Sequence, residues 1–106
     1  VTATAIPLCR FDELPIGLGR SFEVGDRLIA VFRARSGNVM AVEGRCPHKG
    51  GPLADGMLIG EQVVCPLHAF RFHGKSGECE QEGVCAIETY PAEVRNGAVH
   101  VTVGLS

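Results

Sequence analysis

Cys46-Pro47-His48 and Cys65-Pro66-Leu67-His68 are the two stretches on which the reading of this chain turns. Each sets one thiol and one imidazole on a single short segment. Proline stiffens each segment by fixing φ. Gly50 and Gly51 follow the first pair, and Gly56 and Gly74 lie further on. Glycine lets a backbone approach a bulky group closely and present N–H donors to it. Sixteen residues separate His48 from Cys65. That length suits a short hairpin over residues 57–64, which carries the two segments back side by side. Packing alone does not explain two matched Cys/His segments, so the set reads as metal ligands. Zinc also accepts two cysteines and two histidines. Zinc sites, however, usually pair two cysteines on one turn and two histidines on a helix. Here each segment mixes the types, and no helical pattern carries the histidines.

Outward from this core, 106 residues make one domain with one modest core. The net charge is −2 and no basic stripe appears, so nucleic-acid binding has no electrostatic support. The longest apolar runs, such as residues 28–32, are far too short to cross a membrane. No charged-then-apolar stretch reads as a signal peptide. Five cysteines are an odd count, which argues against a disulfide framework and for metal binding in the cytoplasm. No phosphate-binding glycine loop and no spare nucleophile–base pair suggests a catalytic site of its own.

The remaining pattern is all-β: 14 glycines, six prolines and no sustained helical stripe imply short strands and tight turns. Residues 21–24 and 27–35 read as strands joined at Gly25-Asp26, and 36–38 turn into a strand over 39–43. At the far end 90–95 and 98–103 flank Asn96-Gly97, the strongest hairpin signal present, because both turn positions favour positive φ. A further strand is expected near residues 2–8. The expected core is Phe22, Val24, Leu28, Ala30, Phe32, Val39, Ala41, Val94, Val99, Val101 and Val103. Residues 44–83 hold both Cys/His segments and eight of the 14 glycines. They offer only brief strands at 57–59, 62–64 and 70–72, so this region reads as a loop-rich insertion. His73, His100, Cys9, Cys79 and Cys85 stand outside both motifs. The histidines are expected at the surface and the cysteines as reduced structural thiols, with a Cys79–Cys85 disulfide as the alternative. Phe70 and Phe72 are expected to pack under the second segment.

The pattern C-x-H, sixteen residues, C-x-x-H resembles the Rieske family over nearly the whole chain. The resemblance implies an antiparallel β-sandwich or barrel with an inserted cluster-binding subdomain: a base of residues 1–43 and 84–106, and an insertion over 44–83. It implies one [2Fe–2S] cluster, with Cys46 and Cys65 on the inner iron and His48 and His68 on the outer, solvent-facing iron. Two ferric irons, two sulfides and two thiolates sum to zero formal charge. Such a cluster accepts an electron more readily than one held by four thiolates. A third loop, which shields the cluster in relatives, is expected near residues 78–84.

The resemblance also points to a branch. Respiratory-complex members carry a bridging cysteine in each ligand loop, and the matching positions here are Gly51 and Leu67. Their hydroxyl donors to cluster and ligand sulfur correspond to Phe70 and Phe72, which donate nothing. Both departures resemble the soluble branch, with a potential in the lower part of the Rieske range, which runs from roughly −150 to +300 mV. Within it, residues 28–33, 46–53 and 83–85 with 89–91 are most similar to the small subunit of assimilatory NAD(P)H-dependent nitrite reductase. The implied partner is then a large subunit with flavin and siroheme. The alternative is a stand-alone ferredoxin serving the reductase and oxygenase of an aromatic-ring dioxygenase. A reading of another class is a non-redox structural module of a larger complex.

Overall fold

The computed structural model describes residues 2–25, 27–45, 53–65, 71–74, 76–79 and 87–105, with side chains over 5–103 of these. Ten strands are described: Thr2–Arg10 (β1), Gly19–Val24 (β2), Arg27–Arg33 (β3), Val39–Glu43 (β4), Met57–Ile59 (β5), Gln62–Val64 (β6), Arg71–His73 (β7), Thr89–Tyr90 (β8), Ala92–Arg95 (β9) and Ala98–Leu105 (β10). Short 3₁₀ turns at Phe11–Glu13 and Leu53–Asp55 are the only helical elements among the described residues. The strands form three antiparallel sheets, ordered β1-β10-β9, β2-β3-β4-β8 and β5-β6-β7. The all-β expectation holds, and the relatives described below share the fold.

Turn chemistry places the hairpins where the sequence put them. Asn96 and Gly97 both have positive φ, 51° and 79°, and join β9 to β10. β2 and β3 pair from Val24↔Arg27 to Gly19↔Phe32 around Gly25. Strand ends differ in detail. β3 stops at Arg33 rather than residue 35, because Ala34 and Asn38 close the next turn with a 2.8 Å backbone bond. The single strand expected over 90–95 is split at Pro91. Proline has no N–H to give a ladder. Tyr90 pairs with Ala41 in the middle sheet, while Ala92–Arg95 pairs with β10 in the first. Pro91 keeps its carbonyl in use by accepting from the Thr102 N–H at 2.8 Å. The short strand expected over 70–72 is observed as Arg71–His73, and Phe70 lies outside the described residues.

The core sits on both faces of the middle sheet. Ile29, Ala30, Val31 and Phe32 all have zero exposure. Side chains alternate across a strand, so consecutive buried residues must face two cores. Ala30, Phe32, Met40 and Val42 face one, closed by Leu53, Leu58, Val63, Cys65, Phe72 and Ile87. Ile29, Val31 and Ala41 face the other, closed by Leu14, Val99, Val101 and Val103. Strict alternation in the expected core therefore missed half of β3. Phe22, Val24, Leu28 and Val39 are half-buried rather than buried, and Val94 is exposed. Val94 lies on β9, the last strand of its sheet, where no neighbouring strand covers it.

Arg33 fastens the end of β3 to the chain before β2. Its Nη1 donates to the Leu14 carbonyl at 3.1 Å and the Phe11 carbonyl at 3.4 Å, and its guanidinium lies 4.0 Å from the centroid of the Phe11 ring. These bonds hold residues 11–14 over the second core.

The two-sided wall predicts an asymmetric response to truncation. Phe32→Ala opens a buried cavity and is expected to cost about 3–5 kcal/mol. Val94→Ala, though on a position of similar sequence pattern, is expected to change stability by no more than about 0.5 kcal/mol. Urea unfolding of both variants decides it. Equal losses would show that the buried wall is misplaced.

Candidate metal centre

The hairpin β5–β6 forms as its length suggested, with Met57↔Val64, Leu58↔Val63 and Ile59↔Gln62 paired. It ends at Cys65, which is buried with 1% exposure in the first core. Gly56 lies across from Cys65, one step beyond the last pair. A Cβ at Gly56 would land on the Val64 carbonyl oxygen. Only glycine lets the two backbones come this close, and this contact sets the exit of the first Cys/His segment beside the entry of the second.

Of the four candidate ligands, Cys65 is described. Cys46, His48 and His68 lie outside the described residues. The bases of their loops are described, and each is closed by backbone pairing. The Leu53 N–H donates to the Gly44 carbonyl at 2.9 Å, which ties off the first loop. Val64↔Arg71 pairing ties off the second. The Ile87 N–H donates to the Gly77 carbonyl at 2.9 Å, and an isolated bridge joins Phe72 to Cys79, tying off the third. The third loop expected near 78–84 is otherwise outside the described residues.

All three bases rest on one apolar cluster. Leu53 follows the first loop, Cys65 and Phe72 flank the second, and Ile87 follows the third; all four belong to the first core, with Cys79 packed against it. Phe72 is fully buried there, as expected of a residue packed under the second segment. Leu53 and Ile87 were missed as site-forming residues by the sequence reading, and Gly56 was singled out for approach to a bound group rather than for its contact with the Val64 carbonyl. A glycine beside a Cys-bearing hairpin was the available signal for Gly56. Leu53 and Ile87 carried none beyond being apolar after a polar loop.

The donor chemistry fits a mixed-ligand cluster. Soft sulfur and imidazole suit iron–sulfur sites. Cys65 lies buried in the first core, shielded from water. His73 is half-buried on β7, and its Nδ1 accepts from the Ser76 N–H at 3.4 Å. His100 is also half-buried, with Nδ1 3.2 Å from the Ala98 carbonyl. Cys9 sits beside a bulge in β1 between Pro7 and Cys9, packed on the second core, and burial pushes its thiol pKa up. Cys85 lies outside the described residues.

A polar network supports the base of the first loop from the side. The Glu88 N–H donates to Glu43 Oε1 at 3.0 Å, and Tyr90 Oη donates to Glu88 Oε2 at 3.0 Å. Arg27 Nη1 reaches the same carboxylate at 3.5 Å. Burial raises the Tyr90 pKa, with Arg27 opposing and Glu88 assisting. This phenol therefore stays protonated across the neutral range and remains a donor.

Residues 4–91 match the family profile described as Rieske [2Fe–2S] domain. Among curated relatives, the chain is 29% identical over 101 residues to a Ralstonia ferredoxin component of naphthalene 1,2-dioxygenase/salicylate 5-hydroxylase systems. That match covers 91% of this chain and 92% of the relative. The first curated relatives it matches are much longer, and the chain spans 21% and 28% of the length of two of them. Among solved structures, a Mycobacterium tuberculosis protein assigned as an NADH-dependent nitrite reductase small subunit superposes with a TM-score of 0.91, at 24% identity and full coverage of both chains. A second, assigned as an NADPH nitrite reductase small subunit, has a TM-score of 0.81 at 28% identity, covering 92% of this chain and 97% of its own.

If Cys46, His48, Cys65 and His68 are the full ligand set, as the sequence implies, the remaining cysteines are not needed for metal binding. Replacing Cys9, Cys79 and Cys85 together by serine is expected to leave iron and labile sulfide content unchanged. A folded but colourless triple variant would mean that one of them is a ligand.

Proposed function

The chain belongs to the Rieske [2Fe–2S] domain family and is an electron carrier, and from that premise we propose that Cys46, His48, Cys65 and His68 hold its cluster in the small subunit of an NAD(P)H-dependent nitrite reductase. The observation that supports the ligand set is the convergence of three closed loop bases on one buried cluster that includes the Cys65 thiol. When bound, the cluster supplies reversible one-electron chemistry at a formal charge that changes by one.

The chain's own residues then have distinct tasks. Cys65, with Cys46, would hold one iron on the side of the buried core. His48 and His68 would hold the other, each with a second ring nitrogen able to carry a proton. Their side is the one a redox partner must approach, because electron tunnelling falls steeply with distance. Phe72 fills the space beneath the second loop without offering a hydroxyl, consistent with a potential in the lower Rieske range. The partner in this reading is a large subunit bearing flavin and siroheme.

Support for nitrite reductase comes from the stretches 28–33, 46–53 and 83–85 with 89–91, and from the 28% identical solved structure. A second reading, the ferredoxin of an aromatic-ring dioxygenase, is supported by the 29% identity over most of both chains. Deleting the gene in its host separates them. Loss of growth on nitrite as sole nitrogen source is the expected outcome. Normal growth on nitrite with lost degradation of aromatic compounds would assign the chain to the dioxygenase.

A further inference from the structure

Residues 14–19 and 56–60 carry no charged side chain, and the fold sets them side by side. Leu18 and Met57 oppose each other across an antiparallel bridge, and the Leu58 N–H donates to the Gly17 carbonyl at 2.9 Å. Directly opposed residues share a face of the sheet. Leu58 points into the first core, so Met57 and Ile59 on either side of it point out. Ile16, two residues before Leu18, and Ile59, two residues after Met57, continue the surface in the same direction. Ile16, Leu18, Met57 and Ile59 are 52%, 50%, 50% and 47% exposed, and they are four of the five large exposed apolar residues among those described. The fifth, Val94, lies on β9 in a different sheet.

Scattered apolar residues are ordinary on a surface, but a contiguous charge-free group is not. Interface centres are poor in charge and rich in methionine, with polar rims; exposed Asp55 and Arg20 border this one. Four half-exposed side chains amount to a few hundred Å², comparable with the roughly 300–600 Å² of the largest patch on an ordinary monomer. A stable complex buries about 800 Å² on each partner, whereas redox encounters fall at the small end. The patch is therefore too small to hold a permanent second copy and suits a protein that binds and leaves. Its position agrees. Met57 also pairs with Val64, the residue before Cys65, so the patch begins at the base of the ligand loops.

We propose that Ile16, Leu18, Met57 and Ile59 form the face on which an apolar surface of the redox partner docks, beside the ligand loops. The proposal rests on the electron-carrier reading and not on which enzyme is the partner. The face anchors the partner while the His-bearing loops remain close enough to pass one electron.

The test uses the full, cluster-loaded chain with two purified probes, a nitrite reductase large subunit and a ring-hydroxylating oxygenase from the same host. With whichever probe accepts electrons from wild type, the double variant Leu18→Ser/Met57→Ser is expected to raise KM about tenfold. Its kcat, visible spectrum and reduction potential are expected to stay unchanged. Met57→Leu should keep wild-type KM, and Val94→Ser should too. An unchanged KM for the double variant overturns the proposal. So does a wild-type dimer in sedimentation that the double variant abolishes, because the face would then belong to a second copy. A cluster-loaded wild type that takes up no electron from dithionite overturns the electron-carrier reading and this proposal together. That outcome differs visibly from failure of the patch alone, in which wild type and variant transfer equally well.

Discussion

Burial of β3 and β4 on both faces is the constraint on which the rest of the structure depends. Ile29 to Phe32 sit at zero exposure because one set of side chains packs toward β10 and the other toward the sheet β5-β6-β7. A wall shared between two cores cannot shift for one without disturbing the other, since packed interiors tolerate little change in volume. The first core is also the floor of the ligand loops. Leu53, Cys65, Phe72 and Ile87 project into it from the three loop bases, against Phe32, Met40 and Val42. The site is thus held by the sheet that organises the whole domain.

This arrangement divides labour in a way that suits electron transfer. Strands and closed backbone pairs carry the stability, and in the proposed ligand set the loops would carry three of the four donors. A reorganising site would slow each electron by the energy needed to move its ligands. Closing each loop base by backbone pairing over one apolar cluster limits motion at those bases. In the proposed ligand set, Cys65 on the buried side would form the insulated end of the site. The exposed apolar face at Met57 and Leu18 begins beside the base of the second loop, through the Met57↔Val64 pair.

Much of this was legible in the sequence because the signals were local. Asn96-Gly97 named its hairpin through the positive φ both residues adopt. The sixteen-residue spacing between His48 and Cys65 implied the 57–64 hairpin, and the strands are there. The two matched Cys/His segments carried the resemblance that implies a cluster, which the family match supports. What escaped was set by tertiary contacts. A run such as Leu28-Ile29-Ala30-Val31-Phe32 is compatible with one buried face or two, and only the neighbouring sheets decide. Val94 has the same alternation as a core residue but falls on an edge. Pro91 marked a break, yet not that the chain changes sheets there. Gly56 was expected to let the backbone approach a bound group, whereas the contact that requires glycine there is with the Val64 carbonyl.

X-ray absorption at the iron edge of the purified holo-protein reads the ligand set directly. Two cysteines and two histidines around two irons and two sulfides predict a first shell containing both sulfur and nitrogen, with two irons per chain. A shell of sulfur alone, or a protein that carries one zinc and no iron, would contradict it.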